Sequence, residues 1–163
     1  MNGIFLLILC ELLIVAWVDF KTCKISNKWL LLNCLLAVAF YLFLPDIYRF
    51  SWEVFVFPIG FIVVGFFLYL VNIMGAGDSK FLASLFLITP LEFHLPYFEK
   101  LIVSTVITGA ILLLYRISLN SGKLKAYLVN RYWEGIKATI KSRFSYAPVI
   151  LLAWMLLGRT LWN

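Results

Sequence analysis

Hydrophobic residues arrive in six blocks separated by short polar breaks: Ile4–Val18, Trp29–Leu44, Val54–Ile73, Phe81–Thr89, Leu101–Tyr115 and Ala147–Leu161. Runs of about 20 apolar residues are long enough to cross a bilayer as helices, so the pattern predicts an all-α integral membrane protein with six transmembrane helices. The fourth block is short and is expected to start at Asp78. Pro45, Pro90 and Pro96 fall in the breaks, where a residue that cannot continue a helix belongs, and Pro58 falls near the start of the third block, where its missing N–H costs little. The longest break, Ser118–Phe144, carries Leu124, Leu128, Tyr132, Ile136 and Ile140 at intervals of four, with Lys137 and Lys141 on another face. That is the pattern of a basic amphipathic helix lying on the membrane surface between spans five and six.

Composition agrees with the pattern. With 64% hydrophobic and 13% charged residues, a 163-residue chain has too little polar surface to cover a water-soluble globule. One transmembrane domain over 1–163 accounts for the whole length, the lipid bilayer is its surroundings, and no nucleic acid is expected as a partner. The first block has no basic residue ahead of it and is read as a retained span rather than a cleaved signal. Cys10, Cys23 and Cys34 form no CxxC pair, and His94 is the sole histidine, so neither a zinc site nor any cofactor is called for.

Charge orients the spans. The breaks after spans one, three and five hold Lys21, Lys24, Lys28, Lys80, Arg116, Lys123, Lys125, Arg131, Lys137, Lys141 and Arg143, eleven of the fourteen basic residues, against Arg49, Lys100 and Arg159 on the other side. The basic side faces the cytoplasm, which leaves both termini outside.

Two carboxylates stand on that cytoplasmic side. Asp19 ends the first span, and Asp78 lies in Met74-Gly75-Ala76-Gly77-Asp78-Ser79-Lys80, where two glycines allow positive φ and close backbone approach. The chain crosses the membrane twice between them, so parity returns the second Asp to the side of the first. Two carboxyl groups in contact share one proton, and such a pair suits aspartic proteolysis: one takes a proton from water while the other donates to the developing oxyanion. A plainer role for Asp78 is to cap the helix that follows, and for Asp19 to sit among headgroups beside Lys21 or Lys24. Asp46, Glu53, Glu92 and Glu99 fall in outer breaks, but Glu11 lies mid-span, where a charged acid costs about 2.5–3.5 kcal/mol to insert; it is a candidate to support the site or to make a structural helix contact.

These residues resemble a known family. Gly75-Ala76-Gly77-Asp78-Ser79-Lys80 fits the GxGDxK pattern of type IV prepilin peptidases, and Asp19 with Ile25 and Asn27 fits their D-x5-I-P-N element, with Ser26 where the pattern has proline. Arg143–Ile150 loosely resembles a late P-Y-G-V-A-I-type segment. The resemblance implies that Asp19 and Asp78 are catalytic, that Gly75 and Gly77 shape the active-site loop with Lys80 following, and that Asn27 supports the site. It further implies cleavage of the leader of type IV prepilins or pilin-like secretion subunits at the cytoplasmic face of the inner membrane. The absence of paired CxxC motifs is similar to the short, peptidase-only kind that serves Flp or tight-adherence pili, without methyltransferase activity.

Two other readings share some of these residues. A GxGD intramembrane protease of the presenilin or signal-peptide-peptidase kind has the second motif but resembles a nine-span chain. A small transporter or assembly subunit could use Glu11, Asp19 and Asp78 as a proton relay, although its site should lie near midplane.

Overall fold

The computed structural model describes residues 2–22, 24–70, 74–122 and 146–161. They form six α-helices: α1 (Asn2–Thr22), α2 (Asn27–Phe43), α3 (Val56–Leu70), α4 (Ala76–Ile88), α5 (His94–Leu119) and α6 (Ala147–Leu161). Short 3₁₀ turns, Trp52–Phe55 and Leu91–Phe93, lead into α3 and α5. Each helix overlaps one of the apolar blocks, and among the described residues there is no strand. Three stretches, Gly3–Thr22, Trp52–Leu70 and Leu91–Leu119, are long and apolar enough to cross a membrane, and Asn27–Phe43 and Ala147–Arg159 are shorter apolar helices.

The shortest helix is the centre. α4 buries Ser79, the whole run Phe81–Phe86 and Ile88, because it is apolar around its full circumference and such a helix must be covered on every side. Its 13 residues extend only about 20 Å, less than a hydrocarbon core of about 30 Å, so α4 is too short to reach both membrane surfaces by itself. α3 and α2 pack along α4, whereas α1 and α5 pack along α6. The core joins these groups through Ile8, Leu12 and Val15 of α1, Leu82 and Phe86 of α4, and Ile150 and Trp154 of α6.

Small residues and rings set the spacing. Gly65 of α3 lies directly against Ser79 of α4, and a β-carbon at 65 would coincide with the Ser79 side chain. This close backbone approach is how helices associate in lipid, where apolar burial gives no drive toward a partner helix. At the far end from Asp78, Phe57 stacks on Phe86 with centroids 5.2 Å apart, and Tyr48 donates to the Ile88 carbonyl at 2.6 Å. The outward faces carry Leu13, Ile14, Ile62, Phe66, Val106 and Leu114 exposed, a surface that suits acyl chains rather than water.

Two boundaries differ from the sequence reading. α5 begins at His94, so Pro96 lies in its first turn rather than in a break; the first N–H groups of a helix have no intrahelical acceptor, and proline is tolerated there. At its other end α5 runs on to Leu119, four residues beyond the apolar block. The basic amphipathic helix expected in Ser118–Phe144 falls, from residue 123 onward, outside the described residues, as does Cys23. Cys10 and Cys34 are free and exposed on α1 and α2.

Candidate active site

Asp19 closes the buried stripe of α1, after Ile8, Leu12, Val15 and Ala16, and is itself only 2% exposed. A carboxylate at that depth needs a donor. The backbone N–H of Ala147, the first residue of α6, donates to its Oδ2 at 3.1 Å. Lys21, by contrast, is exposed and lies over the Trp17 ring, 4.5 Å from its centroid. The description of Asp19 as a headgroup residue does not hold.

Asp78 sits in the first turn of α4, ahead of the apolar run Phe81–Thr89. Its Oδ2 accepts the backbone N–H of Gly75 at 3.3 Å, and the Asp78 N–H donates to the Gly75 carbonyl at 3.1 Å, so it does cap its own helix. Burial, and after it the nearby negative charge of Asp19, raise this carboxyl from an ordinary 3.8 to about 6, against the smaller opposing effect of the Gly75 hydrogen bond. Capping and proximity to Asp19 thus coexist in one side chain.

The two glycines are needed for room rather than for an unusual backbone. Gly75 has φ −74° and ψ 141°, an extended conformation open to any residue, so of the two freedoms glycine allows it uses close approach and not positive φ. A β-carbon on Gly75 would stand 3.0 Å from Asp78 Oδ2, and one on Gly77 would stand 3.1 Å from the carbonyl oxygen of Ile25. The first glycine therefore clears space for the Asp78 carboxylate. The second lets the loop that follows Asp19 lie against the start of α4.

That loop keeps its turn without proline. Ser26 has φ −73°, within the range a proline ring imposes, and its Oγ accepts the Lys28 N–H at 3.3 Å as the N-cap of α2. Asn27 is the exposed first residue of α2, and Lys80 is exposed on α4. Glu11 is buried two turns deeper in α1 than Asp19.

Other contributors were not legible as site residues. Tyr146, which precedes α6, is hydrogen bonded to Thr105 Oγ1 at 2.8 Å, and Thr105 donates in turn to the Leu101 carbonyl at 2.7 Å. Burial raises the Tyr146 phenol above its ordinary 10.0, Thr105 offsets part of this, and the charge of Asp78 adds to the rise. Tyr146 is thus a neighbour of Asp78, while Ala147 serves Asp19. The only sequence signal for either was the loose likeness of Arg143–Ile150 to a late family segment. Among the described residues, no three His, Cys, Asp or Glu side chains gather in a way that could ligate a metal.

The family model for type IV leader peptidases matches residues 6–162, nearly the entire chain. The chain belongs to the type IV leader peptidase family. No curated protein and no solved structure gives a significant match. For a leader peptidase the arrangement has a direct meaning: the two short motifs recognised in the sequence are packed against each other through Ile25 and Gly77, and the family match extends across α6, whose first N–H bonds Asp19. Membership makes the chain a peptidase with a protein substrate, and its long apolar helices make it a membrane protein.

Proposed function

We propose that this leader peptidase is an aspartic endopeptidase that removes the leader of type IV prepilins or pilin-like secretion subunits at the cytoplasmic face of the inner membrane. Asp19 and Asp78 hold the hydrolytic water between them. The observation that carries the reading is the packing of the loop after Asp19 against Gly77, the residue before Asp78, which brings together two buried or half-buried carboxyls from distant parts of the chain; burial and then the charge of Asp19 raise the Asp78 carboxyl to about 6. The basic breaks on the same side as both acids support the cytoplasmic assignment.

The chemistry follows from a shared proton. The ionised carboxylate takes a proton from water, and the resulting hydroxide adds to the scissile carbonyl carbon as the protonated carboxyl donates to the carbonyl oxygen. Collapse of the tetrahedral intermediate breaks the C–N bond: the proton first taken from water goes to the leaving amine, and a hydroxyl of the intermediate returns its proton to the other carboxylate as the new carbonyl forms. The titration belongs to the pair, so acid and base are not assigned to separate residues. In this reading Gly75 and Gly77 leave room beside the acids, and Lys80 and Asn27, both exposed, meet the substrate.

The test is cleavage of a pilin-like precursor by the chain purified in detergent, alongside Asp19→Asn and Asp78→Asn, which preserve size and remove ionisation. Both variants should lose at least about a thousandfold in kcat. Wild-type processing by either variant would overturn the dyad. Proton movement in vesicles without cleavage would point to a relay instead.

A further inference from the structure

Glu11 is a buried acid that the proposed chemistry does not use. It is 5% exposed, and among the described residues neither its carboxyl oxygens nor the buried Oδ1 of Asn33 on α2 makes a hydrogen bond of ordinary length, so both ends are open to one another. The Asn33 amide stands beside the Glu11 carboxyl. Asn33 is fully buried, and its Nδ2 donates to Ser84 Oγ on α4 at 3.1 Å. Ser84 spends its one proton on the Phe81 carbonyl at 2.8 Å, so its oxygen has to receive, and this fixes which end of the Asn33 amide faces α4. Glu11, Asn33 and Ser84 come from three helices whose other buried residues nearby, such as Ile8, Leu12, Ala37 and Leu85, are apolar.

Their depth is the informative feature. Glu11 lies eight residues from Asp19 along α1, about 12 Å, on the same buried stripe. Ser84 lies six residues from Asp78 along α4, and Asn33 six residues from the start of α2, about 9 Å each. All three helices thus carry a polar residue at a similar level below the acidic pair. α1 packs chiefly on α6 and α4 chiefly on α2 and α3, so apolar contact alone holds the two Asp-bearing helices only indirectly. Apolar side chains slide past one another at little cost, whereas a polar residue in lipid is satisfied at one register.

We infer that Glu11, Asn33 and Ser84 form a polar rung across α1, α2 and α4 that sets the rotation and height of α1 against α4, and so aligns Asp19 with Asp78. Glu11 is a positioning residue in this scheme and touches no substrate. The alignment rests on the dyad reading above; the rung itself does not. A side chain of the same length that carries an amide should serve in place of the acid, because the role proposed for Glu11 is a polar contact with the Asn33 amide rather than charge.

The experiment compares the full chain in detergent with Glu11→Gln, Glu11→Leu, Asn33→Leu and the Leu/Leu double variant, measuring Tm together with kcat and KM on a pilin-like precursor. Ser84→Ala replaces Asn33→Leu if the latter does not fold. Glu11→Gln should keep kcat within about twofold, while Glu11→Leu should lower kcat by about tenfold with KM unchanged, since misalignment strikes the chemical step. The double variant should lose no more Tm or kcat than the worse single variant, because both break one connection. Additive losses would overturn the rung, and unchanged kcat in a folded Glu11→Leu would overturn its role in alignment. If the wild type cleaves no precursor, the proposed function fails while the Tm comparison still decides the rung.

Discussion

The carbonyl oxygen of Ile25 occupies the space that a side chain on Gly77 would need, 3.1 Å from where its β-carbon would stand. The residue six places after Asp19 therefore touches the residue just before Asp78, and the second glycine is small because a carbonyl from the other motif lies against it. Gly77→Ala forces that carbonyl to yield by a few tenths of an ångström and moves the loop joining Asp19 to α2. The expected outcome is a fall in kcat of about tenfold with little loss of Tm, and Gly77→Leu should abolish cleavage, since displacements near 1 Å cost about a hundredfold. Wild-type kcat in a folded Gly77→Leu protein would separate the two motifs.

Asp78 also predicts a pH-dependent stability. Its value in the folded protein is raised from 3.8 to about 6, so the protonated form is favoured by folding. The stability this contributes is complete below 3.8 and is lost as pH rises through about 6. At 1.36 kcal/mol per pH unit the rise corresponds to about 3 kcal/mol at most, and the partial exposure of Asp78 reduces this to about 1 kcal/mol. Asp78→Asn mimics the protonated form and keeps an acceptor for the Gly75 N–H. In detergent the variant should melt about 2–4 °C above wild type at pH 7.5, with the gap closing toward pH 4. A constant gap across that range would place the effect elsewhere.

Much of this was legible in the apolar blocks and much was not. Each block became a helix, since long apolar runs in lipid have to satisfy their backbone internally. The centrality of α4 was hidden by its length: the shortest block looked the weakest and is the most buried. The start of α5 was misplaced because Pro96 reads as a break in one dimension but is harmless in a first turn. The two acids were found from parity and motif, while the donor to Asp19 is a backbone N–H of Ala147, 128 residues away, and no side-chain pattern announces a backbone donor.

Ser26 offers a test of how far the turn depends on residue type. With φ at −73°, Ser26→Pro fits the existing backbone. The substitution removes an N-cap acceptor worth about 1 kcal/mol and restricts the unfolded chain by about 0.4–1 kcal/mol in the opposite direction. The terms nearly cancel, so kcat should stay within about twofold and Tm within a few degrees. A large loss of activity would show that the Ser26 hydroxyl has a use beyond capping α2.

Gly65 and Ser79 make a reciprocal prediction. A methyl group at 65 would occupy the space of the Ser79 side chain, so Gly65→Ala forces α3 away from α4 and should cost about 1–3 kcal/mol, read as a lower Tm. Gly65→Ala combined with Ser79→Gly moves the bulk from one helix to the other and should recover most of that loss. Failure of the pair to recover would mean that the Ser79 hydroxyl, which donates to the Gly75 carbonyl at 3.4 Å, matters more than the packing.

Tyr146 connects α5 to the acidic pair. Thr105 has a single hydroxyl proton, and its donation to the Leu101 carbonyl at 2.7 Å leaves Tyr146 as the donor in their 2.8 Å bond. The next residue, Ala147, presents its N–H to Asp19 at 3.1 Å, so this bond holds the start of α6 where it serves the carboxylate. Tyr146→Phe and Thr105→Val should each cost about 1 kcal/mol of stability, and about tenfold in kcat if the start of α6 shifts, with the double variant no worse than either. Thr105→Ser retains the hydroxyl and should stay near wild type. Additive losses in kcat, or a Thr105→Ser variant as poor as Thr105→Val, would show that the methyl and ring packing at these positions, rather than their hydrogen bond, orients α6.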